Sequence, residues 1–307
     1  MRADHSPSRR ILQGIWRNKK ARAGAAIVAF FALISLVGPL VVGDPHSFEH
    51  MPHSPPGSNL LLGSTGQGQD VLSQTIVGAR QTLFVAFGAG ILVVLIGALV
   101  GGIAAFYGGW IDDALSTVIN VFLVLPALPL MVILAAWLPP GPGTMITVLV
   151  LTGWAWNARV LRAQALSLRQ EEFVQASIVA GESTLSVLFR DLFPNMLSLL
   201  MTCTIGAIVY AIGAQVGLEF IGLGDPSSVT WGTNLYWARN DSALLMGAWW
   251  TFVPAGVAIA LVGFGLTLLN FGIDEVTNTK LQDEDRWKAY LQRSAFSTRN
   301  TVVQEND

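Results

Sequence analysis

Three histidines, His46, His50 and His53, stand close together in the stretch "GDPHSFEHMPHSPPG". Neutral imidazole suits nickel or zinc, and Asp44 or Glu49 would offer a fourth ligand. Pro45, Pro52, Pro55 and Pro56 prevent a regular helix that could present the three rings on one face. The preferred reading is a disordered outer loop that happens to hold histidines, with no metal assigned. The glycine-rich "GSTGQGQD", residues 63–70, invites comparison with a phosphate-cradling loop. Such a loop needs G-x-x-x-x-G-K-[ST] at a strand-to-helix turn, and this stretch has no lysine. It reads as a flexible turn. The single cysteine, Cys203, lies in an apolar run and has no partner for an intrachain disulfide. No H-E-x-x-H, G-x-S-x-G or cysteine cluster is present, so the chain offers no nucleophile, base or metal set for catalysis.

The elements that hold these residues are apolar. Of 307 residues, 52% are hydrophobic and 12% charged, against roughly 25% charged in a soluble protein. Crossing the hydrocarbon core takes about 20 mostly apolar residues, and six stretches qualify: about 21–42, 83–107, 115–138, 143–163, 196–222 and 248–271. The first is too long for a signal-peptide core and lacks a following A-x-A-like site, so it reads as a retained span. Pro126 and Pro129, in "LPALP", are expected to kink the third. Strand-like alternation is absent, and lipid tolerates only helices or closed barrels. The fold class expected is all-α integral membrane with six transmembrane helices.

Basic residues orient the chain. All of its 18 lysines and arginines except Arg80 and Arg239 fall in the N-terminal segment, around 159–190, or in the C-terminal tail. By the positive-inside rule both termini and the 164–195 loop are cytoplasmic. Residues 1–20 then form a cytoplasmic segment and 21–282 the transmembrane unit, with external loops at 43–82 and 223–247. The tail 283–307 includes "DEDRWKAYLQR", expected as a short helix, and carries no assigned function. The span interiors hold essentially no ionisable group; Glu219 is near the outer end of the fifth. Proton- or sodium-coupled carriers place carboxylates or broken polar helices there, so the energy for any transport is applied from elsewhere. Gly97, Gly101 and Gly102 give the second span a small-residue surface, for packing within the chain or for a subunit contact.

One semi-polar insert stands out, "RQEEFVQASIVAGESTLSVLFRDLFPN", residues 169–195. Gly181 divides it into two helical stretches. Phe173, Ala176, Ser177 and Ala180 share a face of the first; Leu185, Leu188, Phe189, Leu192 and Phe193 share a face of the second. Glu182 and Ser183 are placed to begin the second helix and Pro194 to end it. A short amphipathic pair without lysine favours docking of a protein partner over lying on lipid.

At these residues the chain resembles a known family. "EEFVQASIVAG…FRDLFPN" is similar to the EAA loop of permease subunits of binding-protein-dependent ABC importers. "LLGSTGQGQDVLSQTIVGARQTL" (61–83), "LEFIGLGDPSSVTWGTNL" (218–235) and "NFGIDEVTNTKL" (270–281) resemble motifs of the C-type permeases of dipeptide, oligopeptide and nickel importers. The likeness covers about residues 10–282. It departs at Gln175 and Ser177, which stand for the glutamate and second alanine of the E-A-A triplet, and at Phe193, Gln69 and the closing motif. Gln175 keeps the size and hydrogen bonding of glutamate but drops a charge.

The resemblance implies a type I ABC importer permease fold and a subunit that is not itself an enzyme. Its implied partners are a second homologous permease, two ATP-binding subunits or one fused ATPase, and an extracytoplasmic substrate-binding protein, all at a bacterial or archaeal cytoplasmic (inner) membrane. ATP and Mg would belong to the partners, membrane lipid surrounds the subunit, and no nucleic acid is implied. Phe173, Gln175, Ala176, Ser177, Gly181, Leu185, Leu188, Phe189 and Pro194 are the expected ATPase-coupling residues. Pro126 and Pro129 are pathway candidates, with packing as the equal alternative. Dipeptides or oligopeptides are the expected cargo, with nickel, glutathione or a short oligosaccharide as rivals. A self-contained channel or secondary carrier is the alternative from another class, and a membrane-anchored scaffold is a third.

Overall fold

A computed structural model describes residues 18–277 apart from 59. The segments 1–17 and 278–307, with the expected tail helix and the end of the closing motif, lie outside the described residues. Helix α1, Lys19–Val41, is capped by Asn18, whose side-chain Oδ1 accepts from the N–H of Lys20 at 2.8 Å. The same side chain donates to Glu275 at 2.9 Å, tying the first helix to the end of the last. A long loop follows, then α2, Val71–Tyr107, of 37 residues. The chain turns into α3, Gly109–Val124, breaks, and continues as α4, Ala127–Trp137. Helix α5 is Pro142–Arg169 and α6 is Glu172–Val179. A short α7, Thr184–Ser186, runs through a π-helical stretch, Val187–Leu192, into α8, Phe193–Asn195. Then come α9, Leu197–Phe220, α10, Trp231–Asn240, and α11, Val253–Thr277. Among the described residues there is no strand beyond one isolated bridge, Ser64 to Asp70.

Five of these helices are long and apolar enough to cross a bilayer, and six spans result if the bent pair α3–α4 counts as one. Helix α2 is the centre of the bundle, and it packs on α5, α9 and α1. Small residues make this possible. A Cβ on Gly97 would lie 2.9 Å from the Ala158 backbone nitrogen, and one on Gly101 2.6 Å from its carbonyl oxygen. The glycine surface of α2 is therefore spent inside the chain, where two backbones nearly touch. Helices α1 and α11 meet in the same way at Gly24 and Gly265.

Two sequence expectations change here. The stretch 115–138 is not one kinked helix but two, bent by 87°. Pro126 causes the break: it has no N–H to continue the ladder, and it forces Leu125 into extended backbone at φ −65°, ψ 131°. Pro129 adds no kink. It is the third residue of α4, where an N–H has no intrahelical partner to lose. The second change is that 71–82 is helix rather than loop. Asp70 accepts from the N–H of Leu72 and of Ser73 and from the Ser73 hydroxyl, which starts α2 well before the apolar run begins.

Candidate functional site

The insert folds as two helical pieces hung under α5 and α2. Helix α5 ends at Arg169, whose guanidinium donates to the Ala105 carbonyl at 3.0 Å and lies 5.8 Å from the Phe106 ring centre. Two turns earlier on the same side, Arg162 forks both its Nε and Nη2 onto the carboxylate of Asp112. Paired donors of this kind fix geometry as well as attract. The last two turns of α5 are thus fastened to the end of α2 and the start of α3.

Gln175 closes the next joint. Its amide nitrogen donates to the Arg169 carbonyl at 2.8 Å, satisfying one of the orphan acceptors at the end of α5. A glutamate carboxylate has no proton for that bond and would place negative charge at the negative end of a helix dipole. The departure from the E-A-A triplet is therefore an exchange of contacts. Helix α6 ends in a Schellman turn. Gly181, at φ +80°, donates to the Ile178 carbonyl, and Glu182 donates to the carbonyl of Ser177. Ser183 then caps the next helix through Ser186, while Glu182 accepts from the Ser186 hydroxyl at 2.8 Å and pairs with Arg190 at 3.7 Å.

The apolar stripe read from the second stretch divides. Leu188, 1% exposed, and Leu192 point inward with Val187 and Val174, onto Ala105, Leu161 and Ala165. Leu185 and Phe189 point outward, 65% and 58% exposed. Leu188 is thus a core residue of this chain and is withdrawn from the expected contact surface. The cause is the wider π-helical turn, which rotates residues away from a 3.6-residue repeat. Pro194 explains that turn: it has no N–H, and its ring crowds the carbonyl four residues back, so the ladder widens before it. Pro194 does not end the segment, which runs to Asn195 and turns at Met196.

What remains outside on the segment are the apolar side chains of Phe173, Val179, Leu185 and Phe189; Ala176 and Gly181 are exposed as well and Ser177 is half-buried. Val179, 86% exposed, was not legible as one of them, because it lies off the small-residue face. Its only signal was a β-branched residue left unmatched two places before a glycine. Phe189 packs edge-on against Phe193, with ring centres 5.2 Å apart.

The opposite end of the molecule carries an ordered cap. The described residues of the loop 43–70 are tied to one another rather than disordered: His53 donates its backbone N–H to the Thr65 carbonyl, His50 to Gly68, and the Ser64 hydroxyl donates to Met51 at 2.6 Å. His53 faces the Asp241 carbonyl at 3.2 Å, and among the described residues no group of three or more His, Cys, Asp or Glu is placed to hold a metal. "GSTGQGQD" is a tight turn closed on Thr65 Oγ1, which accepts from the N–H groups of Gln67 and Gln69. Burial pushes the Asp241 carboxyl above its ordinary range, an effect opposed by the nearby His53.

The motif "LEFIGLGDPSSVTWGTNL" builds the joint between this cap and the bundle. Glu219 is buried, and it accepts from Gln215 at 2.9 Å, from the Thr230 hydroxyl at 2.6 Å and from the backbone of Gly232. Thr230 and Thr233 cap α10 reciprocally. Trp231 is fully buried; its ring N–H donates to the Thr75 carbonyl at 2.9 Å and its backbone N–H to the Thr82 hydroxyl. The buried carboxylate thus serves as a latch for α10.

A bundle of long apolar helices with a long central helix, a clamped semi-polar helix pair at one end and a capped helix at the other suits a transporter's membrane subunit. Residues 94–275 match the family described as binding-protein-dependent transport system inner membrane component, and the chain belongs to that family. It is 32% identical over 290 residues to the dipeptide transport system permease protein DppC of Bacillus subtilis (strain 168), an alignment that covers 90% of this chain and 88% of that protein. It is 31% identical over 269 residues to the oligopeptide transport system permease protein OppC of the same organism, covering 86% and 87%. OppC of Mycobacterium tuberculosis (strain CDC 1551 / Oshkosh) is 29% identical over 260 residues, covering 82% and 88%.

Proposed function

We propose that this chain is one transmembrane half of an ATP-driven importer of dipeptides or oligopeptides. A second, similar permease completes the path. Two ATP-binding subunits, or one fused ATPase, dock under the 169–195 segment and hold the ATP and Mg; this chain itself is non-catalytic. An extracytoplasmic binding protein delivers cargo to the capped end. Both termini are cytoplasmic and the membrane is a bacterial or archaeal inner membrane. The peptide cargo is supported by the two Bacillus relatives, which are named for dipeptide and oligopeptide transport.

The observation that carries the coupling role is the exposed surface of Phe173, Val179, Leu185 and Phe189 on a segment fastened by Gln175, Arg169 and Gly181. A concentration of large apolar side chains on one short exposed segment is what a site for a protein partner or a membrane carries. The fastening matters as much as the surface. A pull on a floppy loop would be lost, whereas a pull on this pair reaches α5 and α2 through fixed contacts, and packed helices switch between discrete arrangements.

The test is purification from native membranes in mild detergent, followed by mass spectrometry and reconstitution. Recovery of a second six-span permease with one or two ATPases, and peptide uptake that needs ATP, is the expected outcome. A chain that comes out alone and moves solute without ATP overturns the proposal.

A further inference from the structure

Below the cap, an open groove of about 740 Å³ lies between the outer halves of α1 and α2. Its walls are largely apolar, with Leu36, Leu83, Phe84, Phe87 and Val229 among them. One charged residue lines it, Arg80. Arg80 is exposed and has no ion pair or hydrogen bond to its side chain among the described residues. Neither Asp nor Glu lines the groove. Its height follows from helix geometry: at 1.5 Å per residue Arg80 stands roughly 40 Å along α2 from Tyr107. That is about the full thickness of a bilayer with its headgroups, so the charge sits at the outer boundary. A guanidinium at that boundary with no partner among the described residues keeps its planar fork free for a carboxylate or phosphate.

A second cleft, about 270 Å³, adjoins the groove, and the two share His46, Ser228 and Val229. Its chemistry is different. Gln67, Gln69, Gln74, Ser227 and Asn234 line it, together with Trp237, and again no carboxylate. Two of the amides are held in place from behind: Gln74 donates to the Pro45 carbonyl at 2.6 Å, and Asn234 to the Gln74 carbonyl at 3.2 Å. Neutral amides both donate and accept, which matches a peptide backbone of any sequence. An apolar groove matches side chains, and a forked guanidinium matches a carboxylate.

Resting on the peptide-import reading above, we propose that Arg80 receives the C-terminal carboxylate of the cargo peptide, with the backbone lying along the amide-lined cleft and side chains in the apolar groove. A phospholipid phosphate would satisfy Arg80 equally, but it has no use for the adjoining row of amides. The order of the two sites also suits entry from the capped end. Promiscuity toward side chains and selectivity for a free terminus then come from one site, because the charged anchor reads a group that every linear peptide has.

The experiment compares the reconstituted complete importer with its Arg80→Gln and Arg80→Lys forms, using one tripeptide as free acid and as C-terminal amide. The binding protein is the same throughout, so its own preference cancels when the acid-to-amide uptake ratio of each variant is divided by that of the wild type. We expect that ratio to fall about tenfold in Arg80→Gln, the scale of a lost hydrogen bond to a charged group, with Arg80→Lys between. An unchanged ratio, including an equal fall for both peptides accompanied by loss of co-purifying phospholipid, overturns the assignment. Independently of any substitution, a photoreactive tripeptide should label groove residues in the wild-type complex, and the free acid should block that labelling better than the amide. Equal blocking also overturns the assignment. Absence of ATP-dependent uptake of either peptide by the wild type would instead sink the import reading itself.

Discussion

Gly181 offers a perturbation whose cause can be isolated. It holds φ at +80°, and nothing lies within 4 Å of the Cβ that a substitution would add. Any penalty is therefore backbone strain rather than a clash. A left-handed conformation costs an ordinary L-residue about 1–2 kcal/mol, while asparagine visits it more readily; for a β-branched residue it is an outlier. A shift of that size changes a local two-state population by roughly 5–30-fold. The turn opposed by this strain is held by the two Schellman hydrogen bonds, and its loss frees the Val179 side from the Leu185 side of the apolar surface. We therefore expect the order Gly, Asn, Ala, Val in both ATP-dependent uptake per assembled complex and retention of the ATPases through purification. Amounts of the chain in the membrane should stay level, because Gly181 touches no spanning helix. If Asn and Val are equally damaging, bulk and not conformation is at issue and the strain argument fails. Wild-type uptake in Gly181→Val would remove the segment from the coupling path altogether.

Phe173→Asp and Val179→Asp place charge on the exposed surface; both should release the ATPases while leaving thermal stability of the membrane subunit unchanged, as read by a detergent melting assay. Leu188→Ala should do the reverse, lowering subunit stability by about 2–5 kcal/mol as a core truncation does, and a melt equal to wild type would refute its burial. Gln175→Glu loses the donor to Arg169; uptake should fall and Gln175→Ala should fall with it, so a rise toward wild type in Gln175→Glu alone would show that the family's charge, not the amide bond, is what matters. Asp241 bears on pH. Its carboxyl is raised by burial, so the fold binds its proton more tightly than the unfolded chain does. The stabilisation is fully present below the ordinary aspartate value and is lost as pH rises through the raised one. Asp241→Asn should therefore flatten the acid-side pH dependence of cap stability, measured by protection of the 43–70 loop from hydrogen exchange, and an unaltered profile would show that another group sets it.

Much of the architecture could be read from runs of apolar residues, because the hydrocarbon core demands length and composition more than detail. What lies beyond the core was harder. Residues 71–82 are too polar to register as a span, and only the Asp70 cap announces the helix. Pro126 and Pro129 look alike in sequence, yet their effect depends on whether an N–H was needed at that place. The inward and outward halves of the 185–193 stripe could not be separated, since a π-helical turn changes the repeat that stripe counting assumes. The histidine loop was misjudged for a similar reason: its order comes from partners such as Gly68 and Thr65 that composition does not reveal. Arg80 was visible only as an exception to the charge asymmetry, and Glu219 only as an isolated carboxylate.

The break at Leu125–Pro126 reaches beyond the shape of one span. Where a helix stops, its last carbonyls lose their partners, and where the next begins its first N–H groups do the same. Hydrocarbon cannot answer either, and an exposed break in lipid would cost several kcal/mol for each group. The corner of α3 and α4 therefore has to be wetted or covered by another protein surface in the assembled membrane. Val124, Leu125 and Leu128, all exposed in the isolated chain, ring that corner. A bilayer would thus wrap this subunit unevenly, sealing most of its circumference and leaving this one sector to water or to its other half.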